Sequence, residues 1–258
     1  LKLTQAMGLH LLKLSIANYH GDALQPDASA EQIRQVKALF AQYDVRPDCG
    51  ATGNDFTAGS AADVRESLDR VKRAADIAAA LGVKVLRIFA GFTSDSLVYG
   101  ERFDRALEAL QLAAEHVRGT GVRLAIETHG GVAATGDVLH HSATVTTRID
   151  TMRKLLESLP AAEIGMNYDP ANLAAVGDAA PERWFGLFRD RIALVHLKDF
   201  RDVPGGIVPA GCGEGRLDWK ALLAALKEYD GPALIEYELP ADVEDGLRRS
   251  LRFLKQNQ

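Results

Sequence analysis

The sequence predicts an α/β fold, a (β/α)8 TIM barrel, as a single domain over residues 1–258. Three observations carry that prediction. The chain has the length of one such barrel, for which about 250 residues is usual. Short apolar runs alternate with amphipathic helical stretches seven times, at intervals of roughly 30–40 residues. The competing architecture, an open doubly wound sheet, would place a G-x-G-x-x-G or G-x-x-x-x-G-K-[ST] loop after an early strand, and neither pattern occurs.

The elements follow in order. A helix-like LKLTQAMG opens the chain, and residues 8–16 form the first visible strand. Further strands are expected at 45–51, 83–90, 122–128, 164–168, 192–197 and 233–237. Helices are expected at 30–43, 61–81, 100–120, 144–159, 181–188, 218–229 and 243–257. Within 61–81, Val71, Ala74, Ala75 and Ala78 show the i, i+3, i+4, i+7 spacing of a helix face. Gly82, Gly121 and Gly231 each stand between a helix end and the next strand, where a left-handed residue is wanted. Strands that are apolar throughout belong in a parallel sheet buried on both faces. Since only seven are visible, we expect the barrel's first strand to be missing ahead of Leu1, with an open seam between 8–16 and 233–237.

Composition narrows the function. Hydrophobic residues make up 47% of the chain and charged residues 25%, an ordinary globular balance that supports a large core. A net charge of −5 gives no basic surface for nucleic acid, and the clusters RVKR (70–73) and RRSLR (248–252) lie in helical patterns as solvated faces. Two cysteines, Cys49 and Cys212, make no disulfide framework. No run of 18 apolar residues offers a membrane span. These features lead us to expect a cytoplasmic protein, with a leader ahead of Leu1 and a homo-oligomeric state both left open.

Four apolar runs end in a metal-capable residue: LAIETHGG (124–131), IGMNYDPANL (164–173), ALVHLKDF (193–200) and ALIEYELP (233–240). Taken singly, each residue has an ordinary reading. Glu127 would be a cap or loop charge, Asp169 before Pro170 a turn, and His196 a satisfied core histidine. Glu236 would be a costly buried carboxylate. Strand ends converge on one face of a barrel, so the four can share one ion. Three carboxylates and an imidazole suit a divalent cation, Mn²⁺ first, with Mg²⁺, Co²⁺ or Zn²⁺ as alternatives. Strand alternation places His129 with Glu127, Asn167 with Asp169, and Lys198 with His196.

The succession IETHGG, NYDPANL, HLKDF, GEG-x-LDW and IEYE resembles the xylose isomerase-like TIM-barrel superfamily, in its sugar phosphate isomerase/epimerase group. The resemblance runs from the second strand to the end. It implies metal ligation by Glu127, Asp169, His196 and Glu236, with Glu127 and Glu236 also the catalytic acid/base pair. It further implies a small carbohydrate substrate (a ketose, keto-sugar or keto-inositol) and an enediolate formed by proton abstraction. Two positions depart from the tagatose-type pattern. Asn172 stands where a histidine is expected and Asp202 where an arginine is, which argues against a tagatose or psicose substrate. His129, Asn167, Asn172, Lys198, Glu214 and Arg87 are the expected substrate-binding residues. Lys198 has a second reading as a rim partner of Asp199. Glu214 has one as a plain loop residue, and Arg87 faces either the pocket or the helix layer. His10 and His20 carry no assignment.

A lyase or dehydratase acting on a keto-sugar, inosose or dehydroshikimate-like compound would use the same proton abstraction. An AP endonuclease of the same fold would need a three-zinc site with further histidines. Asn172, a total of seven histidines and the acidic charge stand against it. A non-catalytic sugar-binding barrel would have lost ligands, and all four are present. The lack of a phosphate-cradling glycine motif points to an unphosphorylated substrate.

Overall fold

Residues 1–17 and 24–257 are described by a computed structural model. After helix α1 (Lys2–Ala6) come β1 (Leu11–Ser15), α2 (Ala30–Gln42), β2 (Arg46–Ala51), α3 (Ala61–Leu81), β3 (Val85–Ile88), α4 (Glu101–Val117) and β4 (Arg123–Glu127). Two short strands follow, β5 (Gly131–Thr135) and β6 (Val138–Ser142), then α5 (Ile149–Glu157), β7 (Ile164–Tyr168), α6 (Pro170–Ala175) and α7 (Arg183–Phe188). The chain ends with β8 (Ile192–Leu197), β9 (Asp199–Val203), β10 (Gly206–Ala210), α8 (Trp219–Leu226), β11 (Ala233–Ile235) and α9 (Val243–Gln256).

Seven strands form one parallel sheet in the order β1-β2-β3-β4-β7-β8-β11, wrapped by the helices as a nearly closed TIM barrel. Every expected strand is present, and 164–168 and 192–197 keep their predicted bounds. β1 and β11 are the two edges of the sheet, the places where the seam was expected. Helix bounds follow local caps. Ser29 and Gln32 make a capping box at α2, Ser60 caps α3, and Gly82 ends α3 at φ 85°. Gly121 is also left-handed at φ 82°. Gly231 is not. It is glycine because a Cβ there would run into the Tyr229 ring. The helix expected at 144–159 begins only at Ile149. The threonines before it form a turn in which the Thr144 N–H donates to Thr147 Oγ1 at 2.9 Å.

A second sheet was not foreseen. β5 and β6 form a hairpin across Gly136 and Asp137, β9 and β10 form another, and the two join through β6 and β10 in the order β5-β6-β10-β9. These hairpins leave the C-terminal ends of β4 and β8, so the sheet lies on the face where a barrel carries its chemistry. His140 and His141 therefore sit on a strand at that face.

Inside the barrel, Leu11, Cys49, Val85, Ala125, Leu194 and Leu234 pack together as an apolar layer. A step of two residues along a strand keeps the side chain on the same face. Above that layer the step yields Lys13, Ala51, Arg87, Glu127, His196 and Glu236. The barrel floor thus determines which side chains point into the site.

Candidate metal centre

Glu127, Asp169, His196 and Glu236 converge at the C-terminal ends of β4, β7, β8 and β11, with their donor atoms all within 4.8 Å of one another. His196 Nδ1 lies 3.5 Å from Glu127 Oε1, 3.4 Å from Asp169 Oδ2 and 3.3 Å from Glu236 Oε2. Asp169 divides its oxygens between two tasks. As N-cap of α6 with Pro170 at N1, its Oδ1 accepts the Asn172 N–H at 2.9 Å. Among the described residues its buried Oδ2 has no hydrogen-bond donor and is held by ionic neighbours. Thr128 fixes this residue by accepting the Asp169 N–H at 2.8 Å and donating to its carbonyl at 3.2 Å. A preset carboxylate oxygen with no donor, beside two further carboxylates and an imidazole, fits a hard or borderline divalent cation.

A cationic frame surrounds the set. Arg87 faces the pocket, with Nε 3.1 Å from Glu127 Oε2, Nη1 donating to the Thr52 carbonyl at 3.0 Å, and its guanidinium 4.1 Å from the Phe89 ring centroid. Lys198 is buried, 3.4 Å from Asp169, 3.1 Å from Glu236 and 3.2 Å from Glu238. Its alternative pairing with Asp199 is not made. Asp199 turns away to accept the backbone N–H groups of Gly215, Arg216 and Leu217 and the Trp219 indole, which organises the GEGRLDW loop. Lys13 donates to Glu236 and lies 2.9 Å from His196 Nε2.

Burial alone would raise the pKa of Glu127 and Glu236. His196 and Arg87 around the first, and His196, Lys13 and Lys198 around the second, outweigh it and hold both well below the usual carboxylate range. Burial disfavours charge on His196, yet Glu236 and Glu127 push its pKa up to about 10. Burial likewise opposes the charge on Lys198, but Asp169, Glu238 and Glu236 hold it well above the ordinary lysine value. The carboxylates thus demand compensating positive charge, and a metal ion supplies it without protonating the imidazole.

Asn167 Nδ2 lies 3.2 Å from the His196 ring nitrogens, and Asn172 donates to Glu127 at 3.2 Å. His129 packs edge-to-face against Phe89 and Phe92, and its backbone is pinned by Thr144 and Thr146. Glu214 is drawn elsewhere. Arg249 on α9 binds it at 2.6 Å, and the Gly211 N–H donates to it at 3.1 Å. The glycines around it serve packing: a Cβ on Gly213 would meet Phe253, and one on Gly215 would meet Asp199. His10 pairs with Asp44 at the surface, and His20 lies outside the described residues. Sequence reading passed over Lys13, Glu238 and His141. Lys13 had a signal, being the one charge inside LLKLS, and Glu238 stands two residues beyond Glu236, past the end of β11.

A family model described as xylose isomerase-like TIM barrel matches residues 1–257. A search of curated proteins by sequence returns no match. The fold is similar to that of a xylose isomerase domain protein from Planctomyces limnophilus, at TM-score 0.78 and 18% identity, covering 99% of this chain and 90% of that one. A D-allulose 3-epimerase from Methylomonas sp., solved with D-allulose, superposes at TM-score 0.78 and 16% identity over 100% of this chain and 89% of that one. A probable 3-DHS dehydratase from Bacillus anthracis gives TM-score 0.76 and 14% identity over 98% and 91%.

Proposed function

Because the chain belongs to the xylose isomerase-like TIM barrel family, we propose that it is a divalent-metal-dependent isomerase or epimerase of a small carbohydrate. The single observation that carries this reading is the Glu127, Asp169, His196, Glu236 cluster at the strand ends. These four residues would hold the ion, with Mn²⁺ the first candidate. When bound there, a divalent cation supplies Lewis acidity to a carbonyl and its neighbouring hydroxyl.

The chain's own groups do the rest. Glu127 and Glu236 are ionised in the resting site and come from separate strands, so one can remove a proton from a carbon beside the carbonyl while the other, once protonated from solvent, returns one. Arg87, Lys13 and Lys198 surround them with fixed positive charge, which favours the anion formed by that abstraction over the neutral ketone. His129, Asn167 and Asn172 add polar recognition, as befits a polyhydroxylated substrate such as a ketose, keto-sugar or keto-inositol. Glu214, bound to Arg249, is less well placed for that role than the sequence suggested.

A lyase is the second reading. Asn172 and Asp202 replace the two tagatose-type substrate contacts, and the same anion expels a β-leaving group where the substrate carries one. An endonuclease is disfavoured, since Asn172 stands at the site of a needed histidine and the net charge is −5.

The test is a Mn²⁺-supplemented panel of ketoses, inososes and 3-keto-glycosides in D₂O, read by NMR. Deuterium incorporation with a new epimer or isomer supports the first reading, and an unsaturated product supports the lyase. Glu127→Gln and Glu236→Gln should each keep the fold and lose most of the exchange. Full exchange in both variants would remove these carboxylates from the chemistry.

A further inference from the structure

Beside the metal centre lies a cavity of about 290 Å³, lined by His129, His141, Asn172, Lys198, Pro209 and Glu238 among others. It is at the small end of ligand pockets and of monosaccharide scale. Its roof is the hairpin β5–β6, which delivers His141. Both ring nitrogens of His141 are buried and without a hydrogen-bond partner among the described residues, although buried polar nitrogens are normally satisfied. Asn172 Oδ1 is in the same condition, while its amide nitrogen donates to Glu127. A row of rings in mutual contact runs along the cavity. Phe89 lies 5.1 Å from His129, His129 lies 6.4 Å from His141, and His141 lies 5.2 Å from Phe200. Of these rings His129 and His141 line the cavity, where their imidazole edges offer polar atoms.

We propose that His141 is a specificity-determining residue, hydrogen-bonding a hydroxyl of the substrate beyond the carbonyl and hydroxyl held at the four-residue cluster. The inference rests on the carbohydrate reading above and deepens it. Burial, with the charges of His129 and Lys198, pushes the His141 pKa down to about 4, so the ring is neutral near pH 7. A neutral imidazole has one N–H donor and one acceptor nitrogen, which complements a hydroxyl that also does both. The Asn172 amide oxygen adds a second acceptor in the same cavity. The site therefore selects a polyol with a hydroxyl at that distance over a shorter or deoxygenated one.

The experiment uses the Mn²⁺-loaded enzyme and those ketoses or keto-sugars whose C–H exchange it catalyses. His141→Phe keeps a ring against Phe200 and removes both nitrogens, while His141→Gln keeps a donor and an acceptor. We expect His141→Phe to raise KM about tenfold, the size of one or two lost hydrogen bonds, with kcat within about twofold. His141→Gln should recover most of that loss. Among single-deoxy analogues, one should bind wild type and His141→Phe alike. KM unchanged in His141→Phe, or kcat and KM altered together with no rescue by His141→Gln, would overturn the subsite while exchange in the wild type still upholds the parent reading. If wild type exchanges no polyhydroxylated ketone, the parent reading falls and the subsite with it.

Discussion

Arg87→Met tests the charge arrangement at the centre of the site. The guanidinium Nε is 3.1 Å from Glu127 Oε2, and the two side chains are only 8% and 3% exposed. At that distance and an effective dielectric of about 20, the attraction is about 5 kcal/mol. Deleting one partner of a buried pair ordinarily costs about 3–5 kcal/mol, because the other charge stays behind. Glu127 would retain Asn172 and His196, which places the expected loss near the lower end, about 3 kcal/mol. Methionine preserves much of the packing against Phe89, so the loss reports charge more than volume. For a chain of this length 1 kcal/mol moves Tm by about 2–4 °C, so the variant should melt about 6–12 °C below wild type in EDTA. Arg87 also competes with any added cation for a Glu127 oxygen. Saturating Mn²⁺ should therefore raise the Tm of Arg87→Met more than that of wild type. In a Glu127→Gln background, where no carboxylate remains to be stranded, Arg87→Met should cost about 2–3 kcal/mol less, a coupling within the range for contacting residues. Melting within 2 °C of wild type in EDTA, or no coupling in the double variant, would refute the reasoning.

Two further expectations follow from the same geometry. Asp169→Ala removes a buried carboxylate oxygen of the cluster that lacks a hydrogen-bond donor among the described residues, and it should abolish retention of Mn²⁺ after gel filtration, measured by elemental analysis; stoichiometric metal in the variant would show that Asp169 is not a ligand. Burial pushes the Cys49 and Cys212 thiols up to about 12, so both stay protonated and inert to a thiol reagent at pH 8 in the native state, while two thiols react after denaturation. Rapid native labelling of either would contradict their buried placement.

What the sequence made legible depended on how local the cause was. Helix 61–81 kept its bounds because Ser60 and Gly82 terminate it through their own backbone neighbourhoods. Strands 164–168 and 192–197 kept theirs because both faces are buried and every residue is apolar or part of the site. The second sheet was missed although its signals were local too. VAAT-GD-VLHHS has a two-residue Gly-Asp turn between short runs, a hairpin pattern, but its strands are half exposed and lack the apolar continuity used to find the others. Lys198 against Asp199 went differently, since adjacent residues on a strand point to opposite faces. Alternation alone separates Lys198, inward with His196, from Asp199, outward to the Trp219 loop.

The cationic frame was readable by a rule that needs the barrel first. A charged residue in an apolar strand is ambiguous until the strand's inward face is known, and neither Lys13 nor Arg87 reveals it alone. The apolar layer does. Leu11, Val85, Ala125, Leu194 and Leu234 touch one another inside the barrel, so the residues two steps on must also face inward. That step leads to Lys13, Arg87, Glu127, His196 and Glu236 together, acids and bases alike. The periodicity that buries the floor therefore also assembles the charges above it. Moving a strand by one residue would both open the core and turn its member of the cluster outward. Stability and function are thus tied to the same register, and the cluster's geometry is protected by the packing beneath it.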